Sequence, residues 1–233
     1  MKVLAVIHDH DAGAGVFGHA VRDAGQELRE WFAPSGEQPP ALDGLGAVMV
    51  FGGVPQVDEE HLHPWLVAEK RWIREAFTSG LPILGVCLGS QLLAEASGGG
   101  ARAAERPEIG WHEVTLADGA SEDPLLGILP ERFDSFQWHS YTFDPPPGAP
   151  VLAHTQQSAQ AFRAGERAWG VQFHAEVTAA SLEGWLRGGA DGEDARAVGL
   201  DAAAVQRQSQ DLIGDWNELG WQLSTRFLQL AAS

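Results

Sequence analysis

Short apolar runs alternate with amphipathic segments over the first hundred residues of the chain. Each run is too short for a helix, which predicts strands at Val3–Ile7, Leu28–Phe32, Ala47–Phe51 and the run that reaches Gly85. Helical spacing of apolar residues predicts a helix over Val16–Ala24 and a second that begins near Pro64 and ends at Gly80. Alternating strands and helices favour a parallel sheet, and the unbroken apolar run at Ala47–Phe51 is typical of a strand buried on both faces.

The second half of the chain is richer in strand patterns. We expect strands at Trp111–Leu116, Val151–His154, Ala159–Arg163 and Trp169–Phe173. A flexible stop at Gly98–Gly100 precedes the first of them, and Gly165-Glu166 is the predicted hairpin turn between the last two. The pattern therefore predicts an α/β protein with an open, mostly parallel sheet, helices on both faces and a small antiparallel part.

The pattern changes beyond Leu186. Gly188–Gly192 reads as a linker, and Ala202–Leu230 carries a helical apolar stripe that we expect to be broken at Gly214 or Gly220. We therefore predict a catalytic domain over residues 1–190 and a C-terminal helical extension over residues 191–233. Such a stripe must be covered, either by packing on the parent domain or by a second copy of the chain or another partner.

Composition narrows the partners and the compartment. The formal net charge of −17 argues against nucleic acid and against an anionic membrane, because both would repel the protein. The first apolar run is too short for a signal peptide, and no run approaches the ~20 apolar residues of a membrane span. A single cysteine allows no internal disulfide, which is consistent with a reducing, cytoplasmic location.

That single cysteine, Cys87, lies between Gly85 and Gly89 where the apolar run gives way to helical spacing. A nucleophile on a sharp strand-to-helix turn needs flanking residues without side chains, because the backbone segments approach closely. The N-terminus of a helix also favours the thiolate over the thiol. A lone cysteine is more often a small buried apolar residue, but the two glycines favour an activated nucleophile.

A thiolate nucleophile needs a base, and the predicted strand Trp169–Phe173 ends in His174-Ala175-Glu176. His174 could take the thiol proton and later protonate a leaving amine, while Glu176 could orient the imidazole ring. A histidine at a strand end is weak evidence alone. Its weight comes from the pairing with Cys87.

The segments Gly85–Gln91 and Gln172–Thr178 together resemble the class I (triad) glutamine amidotransferase family, in particular its free-standing branch similar to the amidotransferase domain of GMP synthase. The resemblance implies a flavodoxin-like sheet and a Cys87-His174-Glu176 triad that hydrolyses the glutamine amide through a γ-glutamyl thioester. It also implies an oxyanion hole formed by the N–H groups of Gly53 and Leu88. Substrate contacts are implied for Gly52, Gln91, Ser140 and Tyr141, and a separate synthase subunit is implied as the acceptor of ammonia.

Two departures from the family pattern bear on these expectations. Ala175 replaces the usual proline of His-Pro-Glu, which should change loop stiffness and leave the chemistry intact. Ser140-Tyr141 replaces a smaller pair, often Gly-Asp, so the substrate could be a γ-glutamyl compound other than free glutamine. Two alternatives therefore stay open, a stand-alone γ-glutamyl amide or peptide hydrolase and a non-catalytic regulatory protein with the same fold.

The remaining chemical motif is His8-Asp9-His10-Asp11, directly after the first predicted strand. Adjacent residues of a strand point to opposite faces, so we expect a polar loop rather than a metal site. A substrate-side or partner-side role for this loop stays open. No G-x-G-x-x-G precedes the first helix, so we expect neither a dinucleotide nor any other cofactor.

Overall fold

The computed structural model describes residues 1–233 and contains nine strands in one sheet. The strands are β1 (Lys2–Ile7), β2 (Glu27–Phe32), β3 (Leu45–Val50), β4 (Ile83–Val86), β5 (Gly100–Leu116), β6 (Arg132–Asp144), β7 (Val151–His154), β8 (Ala159–Ala164) and β9 (Ala168–Val171). The helices are α1 (Gly15–Asp23), α2 (Trp65–Thr78), α3 (Leu88–Ala96), α4 (Ala179–Gly189), α5 (Glu193–Val198) and α6 (Ala202–Ala232). None of these helices combines the length and apolar character needed to cross a membrane.

The sheet has the strand order β2-β1-β3-β4-β9-β8-β7-β5-β6. The first five strands are parallel, and from β9 onward the pairs are antiparallel. Strand β9 joins the two parts, because it pairs in parallel with β4 and antiparallel with β8. The predicted fold class is confirmed, and the predicted turn at Gly165-Glu166 connects β8 to β9.

Alternate residues of each parallel strand enter two hydrophobic cores, one on each face of the sheet. Strand β1 shows this directly, since Val3, Ala5 and Ile7 lie in one core and Leu4 and Val6 lie in the other. Helices α1, α4 and α6 contribute buried side chains to the first core, and α2 and α3 contribute to the second. Helices therefore cover both faces, and the carboxyl ends of β1, β3, β4 and β9 meet at one edge.

Two sequence predictions were wrong in extent. Gly98–Gly100 is not only a stop, because β5 begins at Gly100, eleven residues before the predicted start at Trp111, and continues to Leu116. The physical reason is long-range pairing, since β5 is hydrogen-bonded along most of its length to β6. The predicted linker is also shorter than expected, because α4 continues to Gly189.

Helix α6 is continuous for 31 residues and is broken at neither Gly214 nor Gly220. A glycine inside a helix costs only about 1 kcal/mol relative to alanine, which tertiary packing readily offsets. The packing is extensive here, because Trp216, Leu223 and Phe227 are buried in the first core. Packing on residues 1–190 therefore covers the apolar stripe, while the division into two domains and a homodimer both stay predictions.

Candidate active site

Cys87 lies between the end of β4 and the start of α3, with φ = 52° and ψ = −113°. It is the only residue other than glycine with a positive φ. A Cβ on Gly85 would lie 2.5 Å from the Gly89 carbonyl oxygen, and a Cβ on Gly89 would lie 2.0 Å from the Val50 carbonyl oxygen. Both glycines are therefore required by close backbone approach, and the tight turn presents Cys87 at the N-terminus of α3.

His174 follows β9 and lies beside Cys87. Its Nδ1 is 2.7 Å from Glu176 Oε1, and both side chains are buried. Burial alone would lower the pKa of His174, but the negative charge of Glu176 and interactions with Cys87 outweigh it and raise the pKa to about 10. Because Nδ1 is engaged by Glu176, Nε2 is the nitrogen left to exchange a proton with the thiol. The three side chains can thus act as nucleophile, base and orienting carboxylate.

Helices pack directly on residues 174–177, a segment that we call the catalytic loop because it carries the candidate base His174 and the candidate carboxylate Glu176. Trp216 of α6 donates from Nε1 to the His174 carbonyl oxygen at 2.9 Å, and Asn217 donates to the Val177 carbonyl oxygen at 2.7 Å. The ring of Trp185 in α4 meets the His174 ring edge-on, with centroids 4.8 Å apart. These three contacts fix the backbone and the ring plane of His174, and sequence reasoning did not identify them.

A cavity of about 610 Å³ opens above Cys87. Seven of the residues predicted for the site line it: Cys87, His174, Gly53, Leu88, Gln91, Ser140 and Tyr141. Gly52 lies behind this wall, since a Cβ there would meet His174 Cε1 at 2.9 Å and Cys87 Cβ at 3.4 Å. Glu176 lies on the far side of His174 and lines a neighbouring cavity of about 350 Å³.

Apart from the imidazole of His174, the charged lining of the larger cavity is acidic. Its carboxylates are Asp9, Asp11, Glu193 and Asp194, and no lysine or arginine lines it. A substrate carboxylate in this cavity must therefore be held by backbone N–H groups, hydroxyls or amides rather than by a basic side chain.

The predicted substrate residues on β6 are held by a polar network. The Tyr141 carbonyl oxygen lies 2.8 Å from His139 Nδ1 and accepts a hydrogen bond from Gln91 Nε2 at 3.2 Å. Ser140 Oγ accepts from Gln56 Nε2 at 3.3 Å, and the Tyr141 hydroxyl donates to Asp58 at 3.2 Å. Gln91 therefore acts on the cavity through the backbone of Tyr141.

His139 continues this network into the interior. Its Nε2 lies 3.4 Å from Oε2 of the buried Glu108. Burial raises the pKa of Glu108, but hydrogen bonds from His139 and Ser158 outweigh it and hold the pKa below its ordinary value. A buried imidazole–carboxylate contact therefore supports the wall of the cavity, and its only signal in the sequence was a histidine beside a tryptophan.

The prediction of a polar loop at residues 8–11 needs correction for its first residue. His8 is fully buried at its side chain and lies 2.7 Å from Glu69 of α2. Asp9, His10 and Asp11 are at least partly exposed, and His10 stacks on Phe32 with centroids 4.2 Å apart. One signal for this burial was present, because Glu69 shares the apolar face of α2 with Leu66 and Ile73.

Comparisons with known proteins agree with this architecture. The sequence model of the family described as glutamine amidotransferase class-I matches residues 19–184. The glutamine amidotransferase-like protein YfeJ of Salmonella typhimurium is 30% identical over 193 residues, which is 80% of each chain. The GMP synthase of Thermomicrobium roseum is 39% identical over 107 residues, so the match covers 46% of this chain and only 19% of that protein.

The structural comparison extends over the whole chain. The crystal structure of a glutamine amidotransferase from Thermotoga maritima superimposes with a TM-score of 0.87 at 27% identity, covering 100% of this chain and 99% of that one. The predicted resemblance is thus confirmed by the sequence model, by a relative matched over 80% of each chain and by a solved structure. The chain belongs to the class I glutamine amidotransferase family.

Proposed function

We propose that this protein hydrolyses the side-chain amide of glutamine with Cys87 as nucleophile, His174 as general acid and base, and Glu176 as the residue that orients His174. The observation that carries the proposal is the geometry around the strained turn. The only nucleophilic thiol of the chain lies at a helix N-terminus beside an imidazole whose pKa is raised to about 10. A raised imidazole pKa favours a thiolate–imidazolium pair, which is the reactive form of a cysteine nucleophile.

The reaction proceeds in two halves. The Cys87 thiolate attacks the amide carbon, and the electron pair of the C=O bond moves to oxygen. The N–H groups of Gly53 and Leu88 stabilise that oxyanion, and His174 gives its proton to the leaving nitrogen, so that ammonia departs and a γ-glutamyl thioester forms. A water molecule then gives a proton to His174 as its oxygen attacks the thioester. The C–S bond breaks with its electron pair on sulfur, so glutamate is released and the thiolate–imidazolium pair is re-formed.

Substrate selection is assigned to the wall opposite the nucleophile. We propose that Gln91, Ser140 and Tyr141 shape the subsite for the α-amino and α-carboxylate groups, while Gly52 contributes from behind the wall, where its lack of a side chain leaves room for Cys87 and His174. The Tyr141 carbonyl oxygen already accepts hydrogen bonds from His139 and Gln91, and the Tyr141 hydroxyl donates to Asp58. The Ser140 hydroxyl only accepts, from Gln56, so its own hydrogen can still be donated to a substrate. The released ammonia would pass to a separate synthase subunit, by analogy with the GMP synthase whose sequence resembles part of this chain.

A second candidate substrate is favoured by the size of the cavity. Its volume of about 610 Å³ falls within the ~300–1,000 Å³ typical of sites for drug-sized ligands. The same triad could then cleave a larger γ-glutamyl amide or peptide and release an amine in place of ammonia.

The test is turnover by the purified protein and its Cys87→Ala variant on glutamine and a panel of γ-glutamyl amides, with glutamate, ammonia and amine measured separately. We expect glutamate formation that disappears in the variant. Preference for glutamine supports the amidotransferase half-reaction, and preference for a larger amide supports the hydrolase. If no substrate reacts and a glutamine-like electrophile also fails to label Cys87, the protein is non-catalytic and the proposal is wrong.

A further inference from the structure

A second buried imidazole–carboxylate pair lies beneath the turn that follows β3. His8, directly after β1, has its Nε2 2.7 Å from Glu69 Oε1, and neither side chain is exposed to solvent. The other ring nitrogen, Nδ1, lies 3.0 Å from the Phe51 carbonyl oxygen and 3.2 Å from the Gly52 carbonyl oxygen. The indole of Trp65 stacks on the imidazole ring at 5.5 Å and shields it.

The surroundings of His8 determine where its proton lies. Nδ1 faces only carbonyl oxygens, which accept hydrogen bonds and cannot donate them. Nδ1 must therefore carry a hydrogen, whichever of His8 and Glu69 holds the proton between them. Burial lowers the pKa of His8, but the charge of Glu69 and the hydrogen bonds outweigh it, so the pKa is raised overall. The ring is thus a permanent donor toward the turn.

A hydrogen bond to the Gly52 carbonyl fixes the direction of the next N–H group. The peptide unit is planar and trans, so the C=O of Gly52 and the N–H of Gly53 point in opposite directions. His8 also packs closely under the turn, because a Cβ on Gly53 would lie 2.5 Å from His8 Cβ. Gly53 lines the cavity above Cys87, whereas His8 does not.

We propose that His8 and Glu69 form a positioning pair that holds the Gly52–Gly53 peptide with its N–H directed at the oxyanion formed on the substrate. The pair touches no reacting atom and acts only through the backbone. This inference rests on the proposed function, because it assumes that Gly53 stabilises an oxyanion. It assigns a role to a buried histidine and a buried glutamate that the triad does not use.

Two matched double variants test the pair. His8→Asn/Glu69→Gln keeps an N–H donor near the place of Nδ1 and leaves no unpaired buried charge. His8→Leu/Glu69→Gln has nearly the same shape but lacks that donor. Loss of one oxyanion donor lowers kcat by about 10²–10³-fold in a comparable site. A donor that is retained but misdirected should therefore lower kcat by less, about 10–100-fold. His19→Asn, at an exposed position on α1, is the control for substitution of a histidine.

For the leucine variant we expect kcat to fall by about 10–100-fold with KM within about twofold, because the oxyanion exists only after attack. The asparagine variant should recover most of that loss. Alkylation of Cys87 by iodoacetamide should be equally fast in both, since that reaction forms no oxyanion. Equal kcat in the two variants, a loss confined to KM, or slowed alkylation in the leucine variant alone would overturn the proposal.

A measurement on the unaltered protein separates this inference from the proposed function. Nitrogen-15 NMR of the imidazole should show a protonated, hydrogen-bonded Nδ1 at His8 at neutral pH, whether or not glutamine is hydrolysed. An unprotonated Nδ1 overturns the positioning pair even if the protein is active and even if the leucine variant fails to fold. If Nδ1 is protonated but the protein hydrolyses no amide, His8 and Glu69 still hold the turn. In that case their role in stabilising an oxyanion is wrong, together with the proposed function.

Discussion

At the residue scale, the backbone of Cys87 is strained, because it has a positive φ that side chains disfavour. Its φ of 52° and ψ of −113° match the first central position of a type II′ turn, which glycine occupies in most proteins. We predict that Cys87→Gly is more stable toward urea than Cys87→Ala by about 1 kcal/mol, since a strained residue costs about 1–3 kcal/mol and the entropy of glycine offsets part of that. Both variants should be inactive, and greater stability of the alanine variant would contradict the strain.

His174 makes stability depend on pH through its pKa. In the folded protein Glu176 and Cys87 raise that pKa to about 10, against an ordinary value of 6.5. A raised pKa means that protonation favours the folded state, so the stabilisation is complete below about pH 6.5 and is lost as the pH rises through about 10. We predict that Glu176→Gln is less stable than the unaltered protein at pH 6.5, and that this difference narrows by pH 9.5. Urea unfolding at both pH values measures it, and a constant or growing difference would refute the pairing.

At the scale of elements, two glycines of α6 provide a matched test of how this helix supports the site. A Cβ on Gly220 would lie 2.0 Å from the Ala175 carbonyl oxygen, within the catalytic loop, whereas a Cβ on the exposed Gly214 meets no atom within 4 Å. We predict that Gly214→Ala raises the free energy of unfolding by about 1 kcal/mol, the ordinary helix preference for alanine. Gly220→Ala should lower it by about 1–3 kcal/mol, as overpacking does, and should slow turnover.

The urea midpoints and kcat of these two variants show whether contact with the catalytic loop or helix propensity determines the effect of alanine in α6. Two equal gains in stability would mean that α6 does not press on the loop. Loss of stability in both variants would mean that the helix tolerates alanine nowhere, and the argument from the close approach at Gly220 would fail.

The same elements show what the sequence could and could not predict. The turn around Cys87 was predictable, because its glycines and its flanking strand and helix are neighbours along the chain. The extent of β5 was not predictable, because its pairing with β6 over long range determines where it begins. The continuity of α6 was missed because tertiary packing overrides the weak tendency of glycine to interrupt a helix. The partner of Glu69 could not be predicted either, because His8 is 61 residues away and the order of strands brings them together.

At the scale of the molecule, three imidazole–carboxylate pairs surround one cavity. Each has a histidine on a different strand or at its end: His8–Glu69 at β1, His139–Glu108 at β6 and His174–Glu176 at β9. They act respectively on the Gly52–Gly53 turn, on the Tyr141 carbonyl and on Cys87. Burying such a pair is costly unless its members are hydrogen-bonded, and the pairs His8–Glu69 and His174–Glu176 meet that requirement at 2.7 Å each.

The last prediction concerns the proposed boundary at residue 190. Helix α6 shares a core with the sheet, because Trp216 stacks on Phe133 at 5.9 Å and meets Phe173 edge-on at 5.7 Å. Removing residues 201–233 would expose that core and leave the His174 carbonyl without its donor. We therefore predict that a chain ending at Leu200 does not fold cooperatively, whereas one ending at Ala231 unfolds like the full chain, as followed by circular dichroism and tryptophan fluorescence. A cooperative transition in the shorter chain would show that residues 1–190 fold independently of α6, and the helix would then be an accessory rather than a structural part of the catalytic loop.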